Sequence, residues 1–151
     1  MLGPAAALGA LPASADPEEA EILRVLAGRP AFPADTGERR LPHELGLRDE
    51  LLSFDKGCYL GQETINRVDV MGDVKRVLAG IRLDGLAPPP PGAELSAGDT
   101  RVGELTSPVA LPEGGWAGLA VVRRPHDLAG TPVTATSGET TWSGRVTALL
   151  R

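Results

Sequence analysis

Residues 75–83, Lys75-Arg76-Val77-Leu78-Ala79-Gly80-Ile81-Arg82-Leu83, open a pattern that runs to the end of the chain. From here short apolar runs alternate with turn signals at spacings of about ten residues, the rhythm of all-β barrels and sandwiches. The runs predict strands over 77–83, 93–96, 100–107, 116–122, 133–136 and 141–149. Gly98-Asp99 and Ser137-Gly138 are the expected hairpin turns, since glycine there reaches positive φ without steric cost. The fold class is α+β: a small helical and irregular N-terminal region followed by a C-terminal antiparallel β-barrel of about six strands.

Composition agrees with this reading. The 151 residues are 42% hydrophobic, enough for a core, while 19 glycines, 14 prolines and only 3% aromatic residues favour turns over long bundles. A net charge of −5 argues against a general nucleic-acid or anionic-membrane surface, and leaves room only for a local basic patch. A single cysteine excludes an internal disulfide and any all-cysteine metal site, and fits a reducing compartment. The expected location is the cytoplasm. Ala13-Ser14-Ala15 has the look of a signal-peptidase site, but no basic start precedes it, and Gly3, Pro4 and Pro12 break the apolar run. No stretch has the roughly 20 apolar residues of a membrane helix.

Upstream of the barrel, Asp16-Pro17-Glu18-Glu19 is a helix start, with Asp16 as N-cap and Pro17 at the first helical position. The helix is expected over 17–27, ended by Gly28 and Pro30, with Ala20, Leu23, Leu26 and Ala27 on its apolar face and Glu18, Glu21 and Arg24 turned away. Residues 29–54 are irregular, with a helical turn or two around 43–52 packed down by Leu41, Leu45, Leu47 and Leu51.

Chemistry concentrates in Lys56-Gly57-Cys58-Tyr59-Leu60-Gly61-Gln62-Glu63. The lone thiol sits between two glycines that permit a tight turn, beside a lysine. If Gly61 opens a helix through Gln62, Ile65 and Val68, Cys58 lies near its N-terminus, where free amides and the dipole favour thiolate, with Lys56 adding positive charge. The opposing reading is a buried structural cysteine, because free cysteine is among the most buried residue types.

These eight residues resemble the signature Lys-Gly-Cys-Tyr/Phe-x-Gly-Gln-Glu of the folate-binding YgfZ proteins, relatives of the glycine-cleavage aminomethyltransferase that act in iron-sulfur protein maintenance. The likeness continues through Asn66-Arg67, Gly72 and Lys75-Arg76, more faintly through Pro42-His43-Glu44, and into Val102-Gly103-Glu104-Leu105-Thr106-Ser107, similar to the family's Val-Gly-x-x-Thr-Ser. It covers nearly the whole chain and implies the C-terminal half of such a protein: residues 1–72 a remnant of an aminomethyltransferase-like folate-binding domain carrying the motif, residues 73–151 the barrel domain. Where relatives often carry a pterin-bonding glutamate, ahead of the Ala-Gly that ends the first helix, this chain has Leu26.

The function so implied is iron-sulfur cluster assembly or repair, supporting iron-sulfur enzymes such as those of tRNA modification. Cys58 and Lys56 would be the catalytic pair, and Tyr59, Gln62, Glu63 and Arg67 would bind cofactor or partner. Tetrahydrofolate is the implied cofactor of a full-length form, and iron-sulfur assembly or client proteins are the implied partners. Two other classes compete: a folate-dependent aminomethyltransferase, and a structural or interaction module with an inert cysteine. His43, His126 and Cys58 are too scattered for a zinc site, so no metal is assigned. Lys75-Arg76 and Arg123-Arg124 become one basic cluster only if the barrel joins their strands. Trp116 and Trp142 are expected to pack in the barrel core or rim, and Pro88 to Pro91 to form a stiff surface loop.

Overall fold

The computed structural model describes residues 16–37, 40–72 and 74–149; Ala13-Ser14-Ala15 lies outside them. Six strands, β1 (Arg76–Leu83), β2 (Glu94–Ala97), β3 (Thr100–Ala110), β4 (Trp116–Arg123), β5 (Pro132–Ser137) and β6 (Thr140–Thr147), close into a barrel in the order β1-β4-β3-β2-β5-β6. Every neighbouring pair is antiparallel, and β6 returns to β1 from Gly80↔Thr147 to Leu83↔Gly144, which leaves no open sheet edge. These are the six strands expected from the sequence, displaced only at their ends. Gly98-Asp99 joins β2 to β3 as expected, whereas the β5–β6 turn is Gly138-Glu139, one residue later than the sequence reading.

Alternation fills the interior: Ile81 and Leu83 of β1, Leu95 of β2, Leu105 of β3, Val122 of β4 and Val146 of β6 are fully buried. Trp142 packs among them and its indole N–H donates to the Ala87 carbonyl at 2.7 Å, while Trp116 packs at the rim and donates to Gly85 at 3.2 Å. Both tryptophans thus tie down the β1–β2 loop that carries the proline run. Strand β4 departs from alternation, being buried from Ala117 to Val122, because its outer face is covered as well. Leu119 and Val121 point outward with Val109 and Leu111, and a helix lies over them. Gly103 shows how tightly the wall is built: a Cβ there would collide with the Val121 carbonyl, so only glycine lets β3 approach β4 at this register.

The covering helix is α1 (Pro17–Leu26). Asp16 caps it by accepting from the Glu18 N–H at 3.0 Å, and Pro17 holds the first position, as the sequence indicated. Its C-terminus is a Schellman turn: Gly28, at φ +66°, donates to the Val25 carbonyl at 3.0 Å and Arg29 donates to Arg24 at 3.0 Å. The buried face corrects the sequence reading. Ile22 and Val25 meet the barrel, while Leu23 is 66% exposed and Leu26 39%. Arg24, expected to point away, turns inward to Asp35.

Asp35 is the reason. It is completely buried and accepts from Arg24 Nη1 and from the Ala31 N–H, each at 2.9 Å. Across the interface the Ser107 hydroxyl lies 2.8 and 2.9 Å from its two carboxylate oxygens. The Thr106 hydroxyl, with one proton to give, sits between Asp35 and the Leu119 carbonyl. A bulge in β3 between Leu105 and Ser107 breaks strict alternation, so both neighbouring hydroxyls are buried against this one carboxylate. A buried charge needs such a full set of donors to be tolerated. The N-terminal region is therefore pinned to the barrel by an apolar stripe and by one saturated carboxylate.

Between Asp35 and the barrel, Leu45 is buried as expected and the Glu44 carbonyl accepts from the Leu78 N–H at 2.7 Å. The expected helical turns appear as a turn over residues 42–46 and the single-turn α2 (Arg48–Leu51). Leu51 does not pack down; it is 57% exposed, because α2 presents no buried residue to anything beneath it.

Candidate functional site

The motif residues occupy the loop before α3 (Gln62–Met71) and its first turn. The helix opens behind Gly61, as the sequence reading required. Gly61 has φ +87°, a left-handed value that glycine adopts without strain. The turn is closed in two directions: the Gln62 N–H donates to the Tyr59 carbonyl at 3.2 Å, and the Gln62 side-chain oxygen accepts from the Tyr59 N–H at 3.3 Å. Gln62 thereby acts on the backbone, holding the segment that presents Cys58.

Cys58 is exposed, which removes the buried structural cysteine as an alternative for this chain. Lys56 is directed to an aromatic face, its ammonium 4.7 Å from the centroid of the Tyr59 ring, an attraction between cation and π-cloud. The Tyr59 hydroxyl is buried with no hydrogen-bond partner among the described residues, as is the side-chain oxygen of Asn66. Glu63 and Arg67 are both exposed on α3. The structure thus brings Lys56, Tyr59 and Gln62 together in one turn around the cysteine and leaves Glu63 and Arg67 as surface groups on the adjoining helix.

This helix is weakly moored, since none of its residues is buried. Asp69 fixes it through a bidentate pair with Arg48, one arm at 2.9 Å, and His43 Nε2 lies 3.4 Å from the same carboxylate. The Arg48 guanidinium, and His43 after it, hold the Asp69 carboxyl below its ordinary 3.8. Arg48 also lies over the Phe54 ring at 5.1 Å. The apolar side chains of Leu60, Val70 and Met71 face outward.

Sequence reading missed Asp35, which joins α1 to β3, and Asp69, which ties α3 to Arg48. Asp69 at three residues' remove from Asn66 carries no local pattern, and Asp35 lies in an irregular stretch. The traceable signal for Asp35 was its partner pair, Thr106-Ser107, which the family resemblance had already singled out.

Does the chain fit a pterin? At the end of α1, where the family resemblance implies a glutamate, Leu26 offers no hydrogen-bonding group, and the nearest carboxylate on the helix, Glu21, is engaged by Arg24 at 2.6 and 2.8 Å. The residues at this position do not fit the donor edge of a pterin, and no chemistry is assigned to them through folate.

A closed barrel with a docked helix and an exposed cysteine turn defines the class, and comparison with known proteins supplies the relatives. The chain is 36% identical over 115 residues to a chloroplastic protein of Arabidopsis thaliana whose name assigns it provisionally to the transferases, covering 76% of this chain and 26% of that one. It is 34% identical over 116 residues to the tRNA-modifying protein YgfZ of Vibrio vulnificus, covering 72% of this chain and 35% of the relative. The glycine cleavage system aminomethyltransferase T from Bartonella henselae shares the fold with a TM-score of 0.72 at 20% identity, over 87% of this chain and 37% of that one. No family profile matches. Sequence and fold likeness point to the superfamily of YgfZ-like and aminomethyltransferase-like proteins. The likeness spans most of this chain, while the chain spans only about a quarter to a third of the relatives' length.

Proposed function

We propose that the chain is a YgfZ-like factor in iron-sulfur cluster assembly or repair, acting through Cys58, with residues 1–72 the remnant of an aminomethyltransferase-like domain and residues 73–151 the barrel domain. The observation that carries this reading is the exposed thiol of Cys58 in a turn closed by Tyr59 and Gln62, with Lys56 drawn onto the Tyr59 ring. A thiol meant to meet a client protein needs access and a defined backbone, and this turn supports both. Lys56 adds positive charge to the turn, and Glu63 and Arg67 offer polar contacts to a partner on the neighbouring face of α3. Relatives named as tRNA-modifying proteins favour enzymes of tRNA modification as the client class to test.

The test is to express the chain in bacteria lacking their own YgfZ-like protein and to measure an iron-sulfur enzyme against a cluster-free enzyme of the same cells. Restored cluster-enzyme activity that is lost in Cys58→Ala supports the reading; equal rescue by Cys58→Ala refutes it. The fold shared with an aminomethyltransferase favours a second reading, folate-dependent one-carbon transfer. Saturable tetrahydrofolate binding by the chain supports that second reading. Its absence refutes that second reading for this chain.

A further inference from the structure

The chain carries a net charge of −5, yet one end of the barrel is densely cationic. Arg76 of β1 stands directly opposite Arg123 of β4, and the Arg124 N–H donates to the Lys75 carbonyl at 3.0 Å, so the two basic pairs seen in the sequence form one cluster. All four line an open cleft of about 760 Å³ that reaches the C-terminal end of α3 at Val68 and Gly72. Arg76 and Arg123 also border a second hollow of about 210 Å³, together with Arg40 and Arg101.

The nearby carboxylates do not cancel this charge. Glu44, the one acid lining the larger cleft among the described residues, is 3.5 Å from Arg76, and Asp127 is 3.4 Å from Arg124. In the smaller hollow Glu94 pairs with Arg101 at 3.1 Å and Glu104 lines the wall. Lys75 and Arg123 have no ion-pair partner among the described residues. Folding does not call for such an arrangement, because like charges directly opposite on adjacent strands repel. The barrel's other facing arginine pair, Arg82 and Arg145, lines neither hollow, and Arg82 is neutralised by Glu113 at 3.0 Å. A concave wall of one sign focuses the field on an anion, and guanidinium forks match the oxygens of a phosphate. Among the described residues the four cations meet two carboxylates, Glu44 and Asp127, which leaves two positive charges uncancelled and suits the oxygens of a phosphate.

From this geometry we infer that the cleft between the ends of β1 and β4 and the end of α3 binds a phosphate-bearing ligand, with Arg76 and Arg123 as the paired guanidiniums and Lys75 and Arg124 flanking them. The phosphates can come from a small phosphorylated molecule or from the backbone of a single-stranded RNA. The test titrates the full chain calorimetrically at low salt with inorganic triphosphate, a single-stranded RNA 12-mer and citrate. Saturable binding of triphosphate alone assigns a small-molecule source, and RNA binding that falls with salt assigns a phosphodiester source; both support the site. Arg123→Gln should weaken binding by about tenfold, the scale of one lost charged contact, and Arg145→Gln by less than about twofold. Lys75→Gln, outside the strands, repeats the test should Arg123→Gln fail to fold. Three results overturn the inference: no binding of either phosphate ligand, citrate bound as tightly as triphosphate, or wild-type affinity in a folded cleft variant.

Discussion

The barrel and the motif segment are built to opposite rules. In the barrel, side chains from all six strands fill one interior, α1 covers the outside of β3 and β4, and even the polar Thr106 and Ser107 are buried. Between Arg48 and Met71 neither helix has a buried residue, and the attachments are an aspartate-arginine pair, a buried histidine and short turns. Stability should thus reside in the first region, and local opening should be cheap in the second. A segment that opens at little cost can present Cys58 to a partner without disturbing the scaffold. The barrel in turn tolerates a mobile neighbour because its own edges are closed by β6 pairing with β1.

The sharpest way to break this division is at Asp35. Asp35→Ala leaves the Ser107 and Thr106 hydroxyls and Arg24 without their shared acceptor inside the interface, and loss of one member of a buried charged network costs about 3 kcal/mol. The measurement is the urea midpoint and m-value of the full chain. An unchanged midpoint would mean that the apolar stripe of Ile22 and Val25 suffices to hold the N-terminal region. Gly103→Ala should follow at about 2 kcal/mol, since its methyl must displace the Val121 carbonyl in a wall with no slack. A midpoint within error of wild type would show that β3 and β4 can part at this register.

How far these rules could be read without coordinates differs between the two regions for a physical reason. Strands of the barrel announce themselves because one face meets the core and alternation is written residue by residue, as in β6, where Trp142 and Val146 are buried among exposed neighbours. The N-cap of α1 was equally legible, because Asp16 and Pro17 act within one turn. Its face was not. Leu23 and Leu26 are as apolar as Ile22 and Val25, and what selects between the stripes is Asp35 drawing Arg24 inward, a contact between residues eleven apart in the chain. At the site, the turn of Cys58 and the opening of α3 behind Gly61 followed from the glycines, while the role of Asp69 depends on Arg48, 21 residues away. Local signals survive translation from sequence to structure; long-range polar partners leave no period to detect.

Asp69 probes the motif segment itself. Its carboxyl titrates below its ordinary 3.8 because Arg48, and then His43, favour the charged form in the folded state. A depressed folded value means that the contribution is present above the unfolded value and is lost as pH falls through the folded one. Acid should therefore loosen α3 below about pH 3.8, the ordinary carboxylate range, ahead of any loss tied to the barrel. At neutral pH, Asp69→Asn should speed amide exchange over residues 62–71 and leave exchange in β1 and β4 unchanged. Equal acceleration in both places would show that α3 and the barrel open as one unit, contrary to the division drawn here.

The smallest expected effect on stability is at Cys58, and for that reason it tests the comparison most directly. An exposed thiol in a turn closed by backbone contacts of Tyr59 and Gln62 contributes no packing, so Cys58→Ser should stay within about 0.5 kcal/mol of wild type. Access predicts the converse for reactivity: iodoacetamide should label native Cys58 without unfolding, since an exposed thiol is open to the reagent. A native thiol that resists the reagent until the barrel melts would mean that the motif turn shares the cooperativity of the scaffold. Its exposure would then be of no use to a client.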